Sequence, residues 1–154
     1  MGQGKYAKDT TVSVERTIEE IRATLKRYGA IKLATFEDET RAAIAFEMRK
    51  RQVKFIMPLP KRADYKYTTG GRYGNAGTLN PNAYDQAVRQ RWRALLLTIK
   101  AKLESVESGI ETFDESFMAQ LVLPSGKTMA EWAVPQIEVA YERNTMPPLL
   151  SSGS

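Results

Sequence analysis

Cysteine and histidine are both missing from the 154 residues. Without thiols there is no disulfide framework, iron–sulfur cluster, thiolate zinc site or cysteine nucleophile. Without imidazole there is no serine–histidine triad, no HNH-type or histidine-ligated zinc nuclease, and no side chain that ordinarily titrates near neutral pH. Carboxylates, lysines and tyrosines are all that remain for catalysis. Long apolar runs are missing too. No window approaches the eighteen apolar residues that a membrane span needs, and Met1-Gly2-Gln3-Gly4-Lys5 has no apolar signal core. The expectation is a cytoplasmic protein with no membrane partner.

What is present is ordinary globular material with a basic bias. Hydrophobic residues make up 42%, charged residues 27% and aromatics 9%, and the formal net charge is +5. That length and apolar content support one core and not two, so residues 1–143 read as a single α+β domain and 144–154 as a flexible tail. A positive balance favours polyanionic partners through long-range attraction and counterion release.

Periodicity organises the chain. Val14, Ile18, Ile21, Leu25 and Tyr28 recur at spacings of four and three between Ser13 and Gly29, which predicts a helix over 14–28. The period then falls to two. Ile31–Phe36, Arg41–Met48 and Arg51–Met57 alternate, separated by the acidic Glu37-Asp38-Glu39-Thr40 and by a tight Arg49-Lys50 turn, and Pro58 and Pro60 end the run. This predicts a three-stranded antiparallel meander. Residues 58–81 form a long Gly- and Tyr-rich loop. From Tyr84 the stripe Val88, Trp92, Leu95, Leu96, Ile99, Leu103 and Val106 predicts a helix of about 25 residues ended by Gly109. Two further helices are expected over 114–122 and 127–142. The second carries Met129, Trp132, Ala133, Ile137 and Ala140 inward, with Pro135 kinking or breaking it.

Three basic groups are candidates for binding. In the loop, Lys61, Arg62, Lys66 and Arg72 interleave with Tyr65, Tyr67 and Tyr73, a pattern that suits single strands because cations follow phosphates while aromatic faces take unstacked bases. The plainer reading is a solvated loop whose tyrosines pack back onto the sheet. Arg49, Lys50 and Arg51 with Lys54 form a second cluster at the β-hairpin, where charge also simply guards solubility. Arg89, Arg91, Arg93, Lys100 and Lys102 line the long helix, and a solvated helix face explains them equally. Should the long helix cross the meander, the three groups would make one positive groove.

Other chemistry is less well served. Glu37, Asp38, Glu39 and Glu47 lack the spacing of a metal nuclease, and turn chemistry accounts for them. Gly70-Gly71-Arg72-Tyr73-Gly74 lacks the Lys-Ser/Thr of a phosphate-binding loop. Trp92 and Trp132 fall within apolar stripes and read as core. The expectation is a binding protein without catalytic residues, metal or cofactor.

The order of elements, with a helix, a three-stranded meander, a basic loop and then a long helix bearing Arg89 to Lys102, resembles the single-strand annealing proteins of the Rad-fifty-two-like superfamily, small phage recombinases among them. Lys5-Tyr6-Ala7-Lys8 through Pro60 and Ala87-Val88-Arg89-Gln90-Arg91-Trp92-Arg93-Ala94-Leu95 also look like a set of phage and prophage proteins of similar size. The topological likeness covers residues 13–107. It implies a homo-oligomer, in that family a ring, that holds single-stranded DNA in a basic groove and anneals it without ATP in a phage-infected or prophage-bearing host. Arg49, Lys50, Arg51, Lys54, Arg89 and Arg93 would line that groove. Residues 110–150 have no counterpart in the family, and the alanine-rich second strand predicts a thin core. Two other readings compete. One is an oligomerising or interaction module, such as a host-defence inhibitor, with no nucleic-acid activity. The other is a carboxylate-dependent nuclease.

Overall fold

The computed structural model describes residues 12–65 and 81–146. Helix α1 spans Val14–Arg27 and starts at Ser13, whose hydroxyl accepts the backbone N–H of Arg16 at 3.1 Å. That contact satisfies one of the first-turn donors that a helix cannot pair internally. Ile21 and Leu25 are fully buried, with Ile18 packed beside them. Gly29, at φ 100°, turns the chain into the sheet, a conformation that costs glycine little.

The sheet is the expected antiparallel meander: β1 (Ile31–Glu37), β2 (Arg41–Met48) and β3 (Arg51–Pro58), in the order β1-β2-β3. Strand alternation sorts its side chains into two faces. Ala42, Ile44, Phe46 and Met48 join Val53, Phe55 and Met57 in the core, while Ala43 and Ala45 lie on the other face. Two of the three alanines of β2 therefore leave the core untouched, and the core is not thin. Aromatic packing fills it further: Phe117 meets Phe46 and Phe55 edge-on at 6.3 and 6.1 Å and stacks on Phe113 at 4.7 Å.

Helix α2 (Pro81–Glu107) is 27 residues long, about 40 Å at 1.5 Å per residue. It buries Trp92, Leu95, Leu96, Ile99 and Leu103. It lies beside α1, where Glu20 accepts from both Arg93 at 3.1 Å and Lys100 at 3.0 Å. Both helices end near the β2–β3 turn. Helix α1 leads directly into Ile31, which faces Glu47 across the ladder, and α2 runs from the Arg62–Tyr65 3-10 turn toward the Phe113 cluster.

The C-terminal third departs from expectation. Instead of a helix over 114–122 there is a five-residue α3 (Phe113–Phe117), a 3-10 turn at Met118–Gln120, and then extended chain. Leu121 bridges Val53, and the N–H of Val122 donates to the Gln52 carbonyl at 2.8 Å. This stretch covers part of the free edge of β3, and helical pairing yields to it. Helix α4 (Met129–Arg143) starts at a capping box in which Thr128 and Glu131 exchange hydrogen bonds of 3.1 and 3.0 Å. It continues through Pro135 without a break. Ile137, expected inside, is 46% exposed. Trp132, Ala133, Gln136 and Ala140 face the body, and Ile137 falls on the neighbouring stripe with Val134 and Tyr141. Trp92 is core as expected, and Trp132 is half-buried. Among the described residues no helix is long and apolar enough to cross a membrane.

Candidate nucleic-acid interface

The β2–β3 connection is two residues, Arg49 and Lys50, with φ of 51° and 64°. Positive φ at both central positions is the geometry of a type I′ hairpin turn, whose preferred occupants are Asn and Gly. A third cation, Lys32, sits at φ 56° in a bulge of β1 between Ile31 and Ala34. The register brings all three to one end of the sheet, since Ile31 faces Glu47 and Met48 faces Arg51. The last turn of α1 delivers Lys26 and Arg27 to the same end. Partial negative charge at the C-termini of α1 and α2 favours cations there.

These cations are not equivalent. Arg51 is held by Asp114 through two hydrogen bonds, Nε to Oδ1 at 3.0 Å and Nη2 to Oδ2 at 3.1 Å, which raises its already high pKa. Lys32 pairs with Glu47 at 2.8 Å. The Arg49 guanidinium lies 5.7 Å from the centre of the Phe113 ring, and Lys50 is exposed. Among the described residues Arg49, Lys50, Lys26 and Arg27 carry no ion pair. Arg49, Arg51, Phe113 and Asp114 border a shallow cavity of about 240 Å³. Lys54 stands half-buried on the outer sheet face, beside Ala45.

The remaining candidates lie elsewhere. Strand β3 separates the hairpin from Lys61 and Arg62 by about 23 Å at 3.3 Å per residue. Arg62 stacks over Tyr84 at 4.7 Å, and Tyr65 meets the same ring edge-on at 6.0 Å, so this tyrosine does pack back onto the fold. Arg62 and Arg89 border a cavity of about 310 Å³ whose wall includes Glu15, Glu37, Glu39 and Asp85, so their charge is locally balanced. Arg93 is tied to Glu20, Arg91 donates to the Pro58 carbonyl at 2.7 Å, and Lys102 donates to Ser116. The single groove joining all three basic groups is thus divided between two ends of the sheet. Lys66, Tyr67, Arg72 and Tyr73 lie outside the described residues, as do the first eleven residues and the tail from 147.

The acidic residues around the Arg62 cavity make no metal-ligand group among the described residues. Asp38 Oδ1 accepts from the Thr40 N–H, the Thr40 hydroxyl and the Arg41 N–H at 2.8 to 3.0 Å, which holds its carboxyl below the usual range. Glu47 is at the opposite end of the sheet. Among the described residues no three acids are grouped as metal ligands. Residue-by-residue reasoning missed Lys26, Arg27 and Lys32. The first two were readable as a basic helix C-terminus, whereas a bulge at Lys32 has no sequence signature.

No family model matches the chain, and no curated protein or solved structure matches it either. The resemblance to single-strand annealing proteins rests on element order alone.

Proposed function

We propose that the protein binds single-stranded DNA at the basic end of its sheet and promotes ATP-independent annealing of complementary strands, the activity expected of a phage recombination protein. One observation carries this reading. Lys32, Arg49 and Lys50 are held in the left-handed region, where a non-glycine residue costs about 1 kcal/mol or more, and all three are cations at one end of the molecule. Asn-Gly would make the same turn with less strain. A local choice that works against stability and places charge at an exposed tip is what a binding site requires. Arg49, Lys50, Lys26 and Arg27 are then the primary phosphate contacts, and Lys61 and Arg62 act separately. Assembly of several copies, which the reading includes, would set such ends side by side.

The test is binding of a fluorescent oligothymidine across a salt series, with duplex and RNA controls. Contact with three to four phosphates predicts a log–log salt slope of about −2 to −3 for a single strand. Pairing of complementary oligonucleotides should accelerate with neither ATP nor magnesium present. Absence of binding at low salt removes this function.

A second reading, an interaction module without nucleic-acid activity, draws on α4. Val134, Ile137 and Tyr141 make an outward apolar stripe, with Tyr141 85% exposed. Oligomerisation lost on Ile137→Asp, together with no binding of any oligonucleotide, would favour it.

A further inference from the structure

The sheet face turned away from α1 and α2 carries a trough unrelated to the hairpin turn. In one row across the ladder Phe36 faces Ala43 and Ala43 faces Ile56. In the next, Ala34 faces Ala45 and Ala45 faces Lys54. Alanines on the middle strand, with Phe36 on one neighbour and Ile56 and Lys54 on the other, make a valley about 10 Å across, since adjacent strands lie about 4.8 Å apart. A cavity of about 280 Å³ occupies it, bordered by Phe36, Ala43 and Ile56, by the cations Arg41 and Lys54 and by the acids Glu37 and Asp38. Phe36 is 59% exposed, so its ring is presented to this space and not covered by the chain's own core.

The rim carries charge of both signs, and within it Lys54 is the cation left open to an occupant. Lys54 and Arg41 stand on the rim, and Lys54 has no ion pair among the described residues. Of the acids nearby, Asp38 is occupied by the turn it holds together, with Arg41 only 3.8 Å away. Glu37 lines the same cavity, and Glu131 in the first turn of α4 lies close enough to sense both cations, so the chain already sets carboxylates near them. An exposed ring beside an alanine floor accepts a flat π-system, and the half-buried Lys54, two strands across and one row along, about 12 Å away between backbones, reaches back toward the anion attached to it.

We propose that this trough is a one-nucleotide subsite, in which a base stacks on Phe36 above Ala43 and its phosphate meets Lys54. The inference rests on the single-strand reading above and adds to it a place where a base, and not only the backbone, is held. Stacking depends on the base alone, so Phe36 and Lys54 should separate cleanly in experiment.

The experiment compares oligothymidine with an abasic oligonucleotide of equal length, using the full chain and its Phe36→Ala, Phe36→Trp and Lys54→Gln variants. Wild type should bind the abasic strand about tenfold more weakly. Phe36→Ala should lose about tenfold on oligothymidine, almost nothing further on the abasic strand, and keep the wild-type salt slope. Phe36→Trp should restore binding. Lys54→Gln should flatten the slope by about 0.7 and retain the preference for bases. Equal affinity of wild type and Phe36→Ala for oligothymidine overturns the subsite and leaves strand binding by the hairpin intact. No binding by wild type removes the underlying function instead. Because Phe36 is exposed, its variants should retain the wild-type circular dichroism. The abasic comparison on wild type also stands without any variant: an undiminished affinity for the abasic strand contradicts the proposal.

Discussion

Glu20 joins the two long helices, and its ionisation is set by that role. The hydrogen bond from Lys100 lowers its pKa first, with the charge of Lys100 and the contacts of Arg93 adding to it against the opposing effect of burial. A carboxyl whose pKa falls on folding stabilises the fold above its unfolded value, near 4.5, and that contribution disappears as pH drops through the lower folded value. Urea midpoints should therefore fall below about pH 4.5, and the fall should be shallower in Glu20→Gln. An identical acid profile in the two proteins would show that the Lys100 and Arg93 contacts do not couple to folding. At the hairpin, Arg51 is already engaged by Asp114, so Lys50→Ala should weaken oligonucleotide binding more than Arg51→Ala. The basic character of these residues was legible in the sequence. Their division into free and occupied cations was not, because Asp114 is 63 positions away from Arg51 and only the tertiary fold brings them together.

Helix α3 shows how a short element positions the hairpin. Five residues cannot sustain a helix by propensity, and here Thr112 and Glu115 exchange capping hydrogen bonds of 2.9 and 3.2 Å. The cap sets Phe113 beneath Arg49 and Asp114 against Arg51. Thr112→Ala should cost about 1 kcal/mol in chemical denaturation and weaken oligonucleotide binding several-fold. A loss of stability with unchanged binding would separate α3 from the site. Elements with long periodic stripes, α1, the three strands and α2, were readable from spacing alone. The segment 114–122 was not, because Leu121 and Val122 continue an apolar pattern that suits a helix yet pair with β3, and edge coverage depends on a strand far away in sequence. In α4 the stripe was readable but its orientation was not, since Ile137 and Ala133 both fit one apolar face until packing against the Met118–Gln120 turn chooses between them.

The whole molecule is polar in charge. Carboxylates from Glu15, Glu37, Glu39 and Asp85 gather where α1 and α2 begin, and cations with no ion pair among the described residues gather where they end. Helix macrodipoles favour that distribution, so fold and charge support each other. Phe117 ties the C-terminal third to this arrangement by touching Phe46, Phe55 and Phe113. Phe117→Ala should destabilise the protein by about 3–5 kcal/mol, read from denaturation midpoints. A cost below about 1 kcal/mol would mean that the third beyond α2 folds independently of the core. The element order also carried the suggestion of strand annealing, but the sequence could not show that the basic groups fall at two ends, because strand length and direction fix that separation.

The most direct test replaces the hairpin cations with the residues that the turn itself prefers. Arg49→Asn combined with Lys50→Gly removes two charges and relieves two left-handed side chains, so the doubly substituted protein should be more stable by about 1 kcal/mol. It should also bind oligothymidine at least tenfold more weakly at low salt, with a salt slope flatter by about 1.4. Stability and affinity moving in opposite directions is the predicted result. A more stable protein that binds the strand as tightly as before, with the same salt slope, would contradict the assignment of the hairpin as the nucleic-acid interface.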